Sequence, residues 1–297
     1  MGSVAGILCV VFFCNGISAQ SYFYKDNIVE PAWLLELGAG AGIMNCRSDL
    51  GGKNGTGPLA IDWQASRFSA SLLAAATYRQ TIGFRIQLLR GSIGSADSLI
   101  GSGGRGSRYD RNLHFRSSLS EVIALLEFYP FSLFAGAVSM VRLQVFVTAG
   151  AGWYWFNPRA LVGDRWVNLQ PLHTEAQHFR SSGSVLQPSY KLSGINVPIG
   201  LGFRWEAGPF LHLRLEALHR ILFTDYLDDV STQYADPDLF ALYLPPATAK
   251  LAAKVADRRR SAQPFSEGTI RGSPDKNDAF FHLQLSASVL LNRKKLH

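Results

Sequence analysis

Residues 196–217 read NVPIGLGFRWEAGPFLHLRLEA, two alternating runs separated by Ala207-Gly208-Pro209. Val197, Ile199, Leu201, Phe203 and Trp205 are apolar, against small or polar Asn196, Gly200, Gly202, Arg204 and Glu206. After the break, Leu211, Leu213, Leu215 and Ala217 alternate with His212, Arg214 and Glu216. Side chains alternate faces along a strand, so each run has one apolar and one polar face. A hairpin of two half-apolar strands follows.

The same period recurs through the chain. Phe281, Leu283, Leu285, Ala287, Val289 and Leu291 alternate with His282, Gln284, Ser286 and Ser288. Eight such segments are predicted, over residues 33–42, 68–79, 81–91, 118–128, 143–156, 196–206, 210–222 and 280–291. Most are near the ~9–11 residues that a tilted strand needs to cross hydrocarbon. No apolar run beyond the first twenty residues reaches the ~18 needed by a spanning helix; Phe128 to Val141 is short and holds Pro130. The connections alternate between long and short: 43–67, 92–117, 157–195 and 223–279 are long, whereas Gln80 and 207–209 are tight turns. Long loops at one end and short turns at the other are the arrangement of an outer-membrane barrel.

The expected fold is therefore all-β: an eight-stranded antiparallel transmembrane β-barrel with long outer loops and short periplasmic turns. Trp33, Tyr78, Phe84, Phe128, Trp205 and Phe210 fall at the periplasmic strand ends, and Trp153, Trp155, Phe223, Phe280 and Phe281 at the outer ends, where interface girdles belong. A soluble lipocalin-like barrel would turn the apolar face inward, and neither its short loops nor its cavity would call for aromatic rings at both rims.

Residues 1–19 run apolar and end in Ile17-Ser18-Ala19, which reads as a signal peptide, though without the usual leading Lys or Arg. The expected divisions are a signal peptide over 1–19, a periplasmic segment over 20–32, the barrel over 33–291 and a basic tail over 292–297. Beyond the leader Cys46 is the only cysteine, too few for an internal disulfide or a cysteine zinc site. The net charge of +7 is dispersed along the chain, and no RNP, zinc-finger or P-loop pattern occurs, so no nucleic-acid partner is expected.

With the apolar faces outward, the inward faces collect a lumenal charge network: Glu36, Arg85, Glu121, Glu127, Arg204, Glu206, Arg214 and Glu216, with Gln87. Eight strands leave an interior that side chains can fill. These charges are expected to pair as a plug, Arg214 with Glu216 or Glu206, and Gly38, Gly40, Gly42, Gly200 and Gly202 to make room for the arginines.

Few residues point to chemistry. His212 and His282 face inward on adjacent strands, but lumenal filling accounts for them better than a metal. Asp225, Asp228, Asp229, Asp236 and Asp238 lack EF-hand spacing, so no metal and no cofactor is expected. His219 has no serine tied to it by a motif, and no enzymatic activity is expected. Ala247 to Ala262 reads as a short basic helix with a solvated face, contact with glycolipid phosphate being the alternative.

Three stretches go further. Residues 223–234 (FTDYLDDVSTQY) follow the seventh segment, Trp155-Phe156-Asn157-Pro158 leads into residues 166–177 (WVNLQPLHTEAQ), and residues 197–203 read VPIGLGF. Together they resemble the PorG-like family of outer-membrane components of the type IX secretion system, from about Leu35 to Leu291. The motif loop is Thr224, Asp225, Tyr226, Leu227, Asp228 and Asp229, and Ala176 departs from the pattern, which has glycine there. The resemblance implies a non-catalytic role in the outer membrane. It would link that membrane to the periplasmic ring lipoprotein and its partner subunits and support export of proteins with a C-terminal sorting domain. The competing function is a small barrel transporting small hydrophobic solutes. The segment 20–32, the connection 129–142 and Arg293-Lys294-Lys295 are the surfaces open to a periplasmic partner.

Overall fold

A computed structural model describes residues 28–51, 63–100, 107–133, 142–181, 184–260 and 269–295. Residues 1–19, read above as a signal peptide, and the first part of the 20–32 segment lie outside the described residues. Eight strands form the barrel: β1 (Trp33–Arg47), β2 (Arg67–Tyr78), β3 (Ile82–Ala96), β4 (His114–Phe128), β5 (Leu143–Val162), β6 (Ser193–Gly208), β7 (Leu211–Leu222) and β8 (Ala279–Leu290). Each pairs antiparallel with its neighbour in sequence. The ring closes where β8 pairs with β1 from Ala279↔Arg47 to Leu290↔Glu36. Closure removes the unpaired edges that a bilayer would leave unsatisfied.

The alternation decides the faces. Leu201, Phe203, Trp205 and Leu215 are exposed on the exterior, whereas Arg204, His212, Arg214 and Glu216 are buried inside. At the short-turn end Trp33 and Tyr78 pack with ring centroids 5.0 Å apart, and at the other end Trp153 and Trp155 lie 6.4 Å apart. Phe280 does not join the outer girdle: it is 1% exposed and packs inside. Its neighbour Phe281 carries the outward phase and meets Trp63 edge-on at 6.1 Å.

Turn chemistry fits the hairpins. Arg79 and Gln80 both adopt left-handed φ (45° and 55°), and the Thr81 amide donates to the Tyr78 carbonyl at 2.9 Å. Two consecutive positive φ values give the tight turn whose twist matches the flanking strands.

Five strands run longer than the alternation implies, β5 by six residues to Val162 and β1 by five to Arg47. The extensions rise past the Trp153–Trp155 level, and the inner face of this outer end is apolar rather than charged: Ile93 and Phe115 on the extensions are buried there, with Leu89, Leu119, Phe156 and Phe280 next to them. The long loops fold onto this surface with Leu50, Leu113, Leu172, Phe179, Leu227, Val230 and Phe240, which belong to the same core. The loops thus form a packed cap over one end of the barrel. A hairpin strand, Arg165–Asn168, extends β5 further.

The cap holds α1 (Pro237–Tyr243), capped by the Asp236 side chain, and α2 (Pro246–Ala256). The basic helix predicted over 247–262 ends at Ala256, where Asp257 turns extended; it buries Ala249, Ala252, Val255 and Ala256 while Lys250 and Lys254 face solvent.

Candidate functional site

Inside the barrel lie two layers of charge. In the lower layer Arg214 spans two carboxylates, reaching Glu127 Oε1 at 2.7 Å and Glu36 Oε2 at 2.8 Å. Arg85 lies 3.2 Å from the same Glu127 and pairs with Glu216, which also accepts from Gln284 at 2.8 Å. Arg204 donates to Gln144 and, at 3.3 Å, to Thr77. In the upper layer Arg220 donates to Glu121 at 2.9 Å, and Asn196 donates to the same carboxylate at 2.7 Å. Four arginines thus face four glutamates, all at most 1% exposed. Buried charges survive only when paired and hydrogen-bonded.

The partners differ from those expected. Arg214 pairs with Glu127 and Glu36, not with Glu216 or Glu206, since residues two apart on one strand stack along it while ions pair across the barrel. Glu206 is not in the lumen: it sits at the periplasmic rim, accepting from Arg293 at 2.6 Å. Nor do the β1 glycines accommodate arginines. A Cβ on Gly42 would fall 2.7 Å from His282 Nε2, and one on Gly40 would fall 2.8 Å from Ser286 Cβ, so they admit β8 against β1. Each histidine has its own partner, His212 at 3.2 Å from Glu36 and His282 at 2.9 Å from Ser69 Oγ. Among the described residues no group of three His, Cys, Asp or Glu is placed to hold a metal ion.

Three plug residues escaped sequence reading. Arg220 has the right phase on β7 but stands beyond the apolar run. Gln144 begins β5. Tyr129 follows β4 and turns back under the lumen, donating to Glu127 at 2.6 Å with Arg204 4.0 Å above its ring. It closes the periplasmic end.

The two loop strings singled out in sequence meet in the cap. Thr174 donates to Asp229 at 2.5 Å, and Glu175 accepts from the Ser231 and Thr232 amides at 2.9 and 3.0 Å. Arg271 clamps them, 2.8 Å from Glu175 and 2.6 Å from the Asp229 carbonyl. Within the motif loop, the Thr224 carbonyl accepts from the Asp278 amide at 2.9 Å. Tyr226 stacks on Tyr190 at 4.7 Å, and Leu227 is fully buried. Asp228 accepts from the Leu50 and Val230 amides at 3.1 and 2.9 Å. Asp225 is buried, with neither carboxylate oxygen hydrogen-bonded. Ala176 has φ 54°, the left-handed region that favours glycine, which explains why this position tolerates alanine only at a cost.

Burial pushes these carboxyls up: Asp225 to about 8, Asp228 to about 7 and Asp229 to about 6. For an acid raised on folding, the native cap binds more protons than the open one, so stability falls as pH rises from the unfolded value to the folded one. The cap is therefore expected to open at lower temperature at about pH 9 than at about pH 5. The near-ultraviolet signal of the stacked Tyr190–Tyr226 pair reports it. A midpoint that rises with pH would contradict buried, protonated carboxyls.

At the opposite end the two segments flanking the barrel fasten together. Ile28–Val29 pairs antiparallel with Lys294–Lys295. Arg293 is 2.8 Å from Glu30, which also accepts from Gln80 at 2.7 Å. Sequence reading treats both flanks as lying outside any ladder; the described parts form one, because the β8–β1 seam brings them side by side.

An apolar exterior, a charged sealed interior and a closed ring of strands define a membrane-spanning β-barrel of the small, plugged kind. No protein-family model matches the chain, and no curated protein matches it. Among solved structures it is similar to Ail, the attachment invasion locus protein of Yersinia pestis, in complex with a heparin analogue. There the identity is 8% and the TM-score 0.39, over 88% of this chain and 100% of that one. It is also similar to Neisserial surface protein A (10% identity, TM-score 0.38, 88% and 98% covered). A third is a major outer membrane protein from Thermus thermophilus (14% identity, TM-score 0.37, 88% and 100% covered). The likeness is one of fold.

Proposed function

We propose that this protein is a non-catalytic outer-membrane component of the type IX secretion system, exported through a signal peptide. In this reading it works by contact with the periplasmic ring lipoprotein and its partner subunits. The observation that carries the reading is the sealed lumen. A barrel filled by paired Arg85, Arg204, Arg214 and Arg220 and floored by Tyr129 offers surfaces rather than a passage. The family-like strings support it further, since 166–177 and 223–234 bind one another instead of lying scattered. On the periplasmic side, Phe131 and Leu133 are exposed in the β4–β5 connection. Transport of small hydrophobic solutes would need a gap in the wall or an open lumen; every strand pairs with both neighbours, and the β5–β6 ladder skips Val197 and Pro198, where proline has no N–H to donate.

Crosslinked affinity purification from membranes tests the proposal. Ring subunits are expected to accompany the natural chain and to be lost from a Phe131→Ser, Leu133→Ser variant, which leaves the terminal ladder intact. The barrel should keep its heat-modifiable mobility and its abundance. Cargo bearing the sorting domain should fail to reach the medium; normal secretion from a strain lacking the protein would refute the reading.

A further inference from the structure

The exterior at and above the Trp153–Trp155 level carries arginines on β2, β3, β4 and β5. Arg116 and Arg159 are exposed and stand directly opposite each other in the β4–β5 register. Directly opposed side chains have Cβ atoms about 4.5–5.5 Å apart, where like charges repel. No carboxylate pairs with either residue among the described residues. A third arginine adds to them. Arg67 lies across Gly94, where a Cβ would fall 3.2 Å from its Nε and 3.3 Å from the Arg116 Cα. That Nε is buried without a hydrogen-bond partner. Lower on the same face, exposed Arg90 donates to the Ser120 hydroxyl and has no carboxylate partner among the described residues, and Ser120 stands opposite Trp155.

Nothing in the fold requires this arrangement; Arg116 packs over Trp166 at 6.0 Å but gains no counter-charge there. Guanidinium groups present planar forks that match phosphate oxygens two at a time. The patch continues upward from Leu88, Val122 and Trp153 on the lipid-facing wall, so its anion would come from within the leaflet. We propose that Arg67, Arg90, Arg116 and Arg159 bind the phosphate groups of a phosphorylated lipid headgroup in the outer leaflet. The bound phosphate would neutralise the opposed pair and hold the barrel at a fixed depth. This inference rests on the membrane reading of the fold and not on any role in secretion.

The full chain in maltoside micelles, which contain no phosphate, provides the test. Diphosphorylated lipid A should raise the midpoint of heat-modifiable unfolding, whereas its fully dephosphorylated form and inorganic phosphate should not. An Arg116→Gln, Arg159→Gln variant should bind lipid A roughly tenfold or more weakly, having lost a charge-assisted hydrogen bond at each position. In micelles without lipid A the variant should be at least as stable as the natural chain, since the repulsion is gone. An equal shift from dephosphorylated lipid A, or an unchanged shift in the variant, would overturn the proposal. So would a variant less stable without lipid A. Inorganic phosphate reproducing the full shift would overturn the lipid source.

Discussion

Replacing Arg214 with leucine is expected to lower the stability of the barrel by about 3 kcal/mol, because removing one partner of a buried ion pair leaves charge without compensation. Two carboxylates lose a partner at once, Glu36 and Glu127. Each retains others: Glu127 keeps Arg85 and Tyr129, and Glu36 keeps Arg204 and the Ser288 hydroxyl at 2.6 Å. That residual pairing holds the loss toward the lower end of the range for buried pairs. Adding Glu36→Gln to Arg214→Leu should recover part of the loss, since the two sites share one interaction and their effects are not additive. Arg214→Lys should also cost stability, because one ammonium cannot span two carboxylates with fixed forks. Denaturant midpoints read from heat-modifiable mobility measure all three. No loss in Arg214→Leu would mean that the lumen admits enough water to solvate the stranded glutamates.

The second large effect belongs to the opposite face. Leu201→Arg is expected to destabilise the membrane-embedded barrel by ~2–4 kcal/mol, the cost of a charge near the bilayer midplane. Leu201 is 55% exposed on the exterior and stands opposite Ala217, midway between the two aromatic levels. Leu213 faces the same way but stands opposite Trp205, at the interface. Leu213→Arg should therefore cost only about 0–1 kcal/mol, the interfacial value. Equal costs at the two positions would place the hydrocarbon layer elsewhere on the barrel. A barrel that tolerated Leu201→Arg as a soluble surface does would remove the membrane from the account.

The faces and the strand count were legible because alternation has one meaning along a strand. Once Leu201 and Leu215 point outward, Arg204, Arg214 and Glu216 have only the interior. The ion partners were not legible. Whether Arg214 meets Glu36 or Glu216 depends on stagger and barrel curvature, which residue period does not encode. The outer ends of β1, β4 and β5, residues 43–47, 114–117 and 157–162, were missed for a related reason. Above the bilayer neither face is lipid, and Phe115 gains an apolar inner environment only when distant loops cover it. The cap resisted reading most. Its centre couples Glu175 to Ser231 and Arg271, contacts that span 56 and 96 residues, and composition marks the same loops as rich in glycine, serine and charge. Ala252 illustrates the result: it lies in a segment that looks solvent-facing, and it is fully buried.

The seam between β8 and β1 bears on the order in which the barrel can be assembled. Ser288 reaches Glu36 across 252 residues of chain, and the β8 residue Gln284 supplies the hydrogen bonds that complete Glu216 and Gln87. A nascent chain lacking its last strand would hold Glu36 on an open edge with one of its acceptor sites unfilled. Insertion of such an intermediate into lipid would carry an unpaired strand edge with it, so early membrane entry of the N-terminal strands is disfavoured. The C-terminal strand thus acts as a timing element: the polypeptide becomes fit for the bilayer only when its final segment has docked against its first.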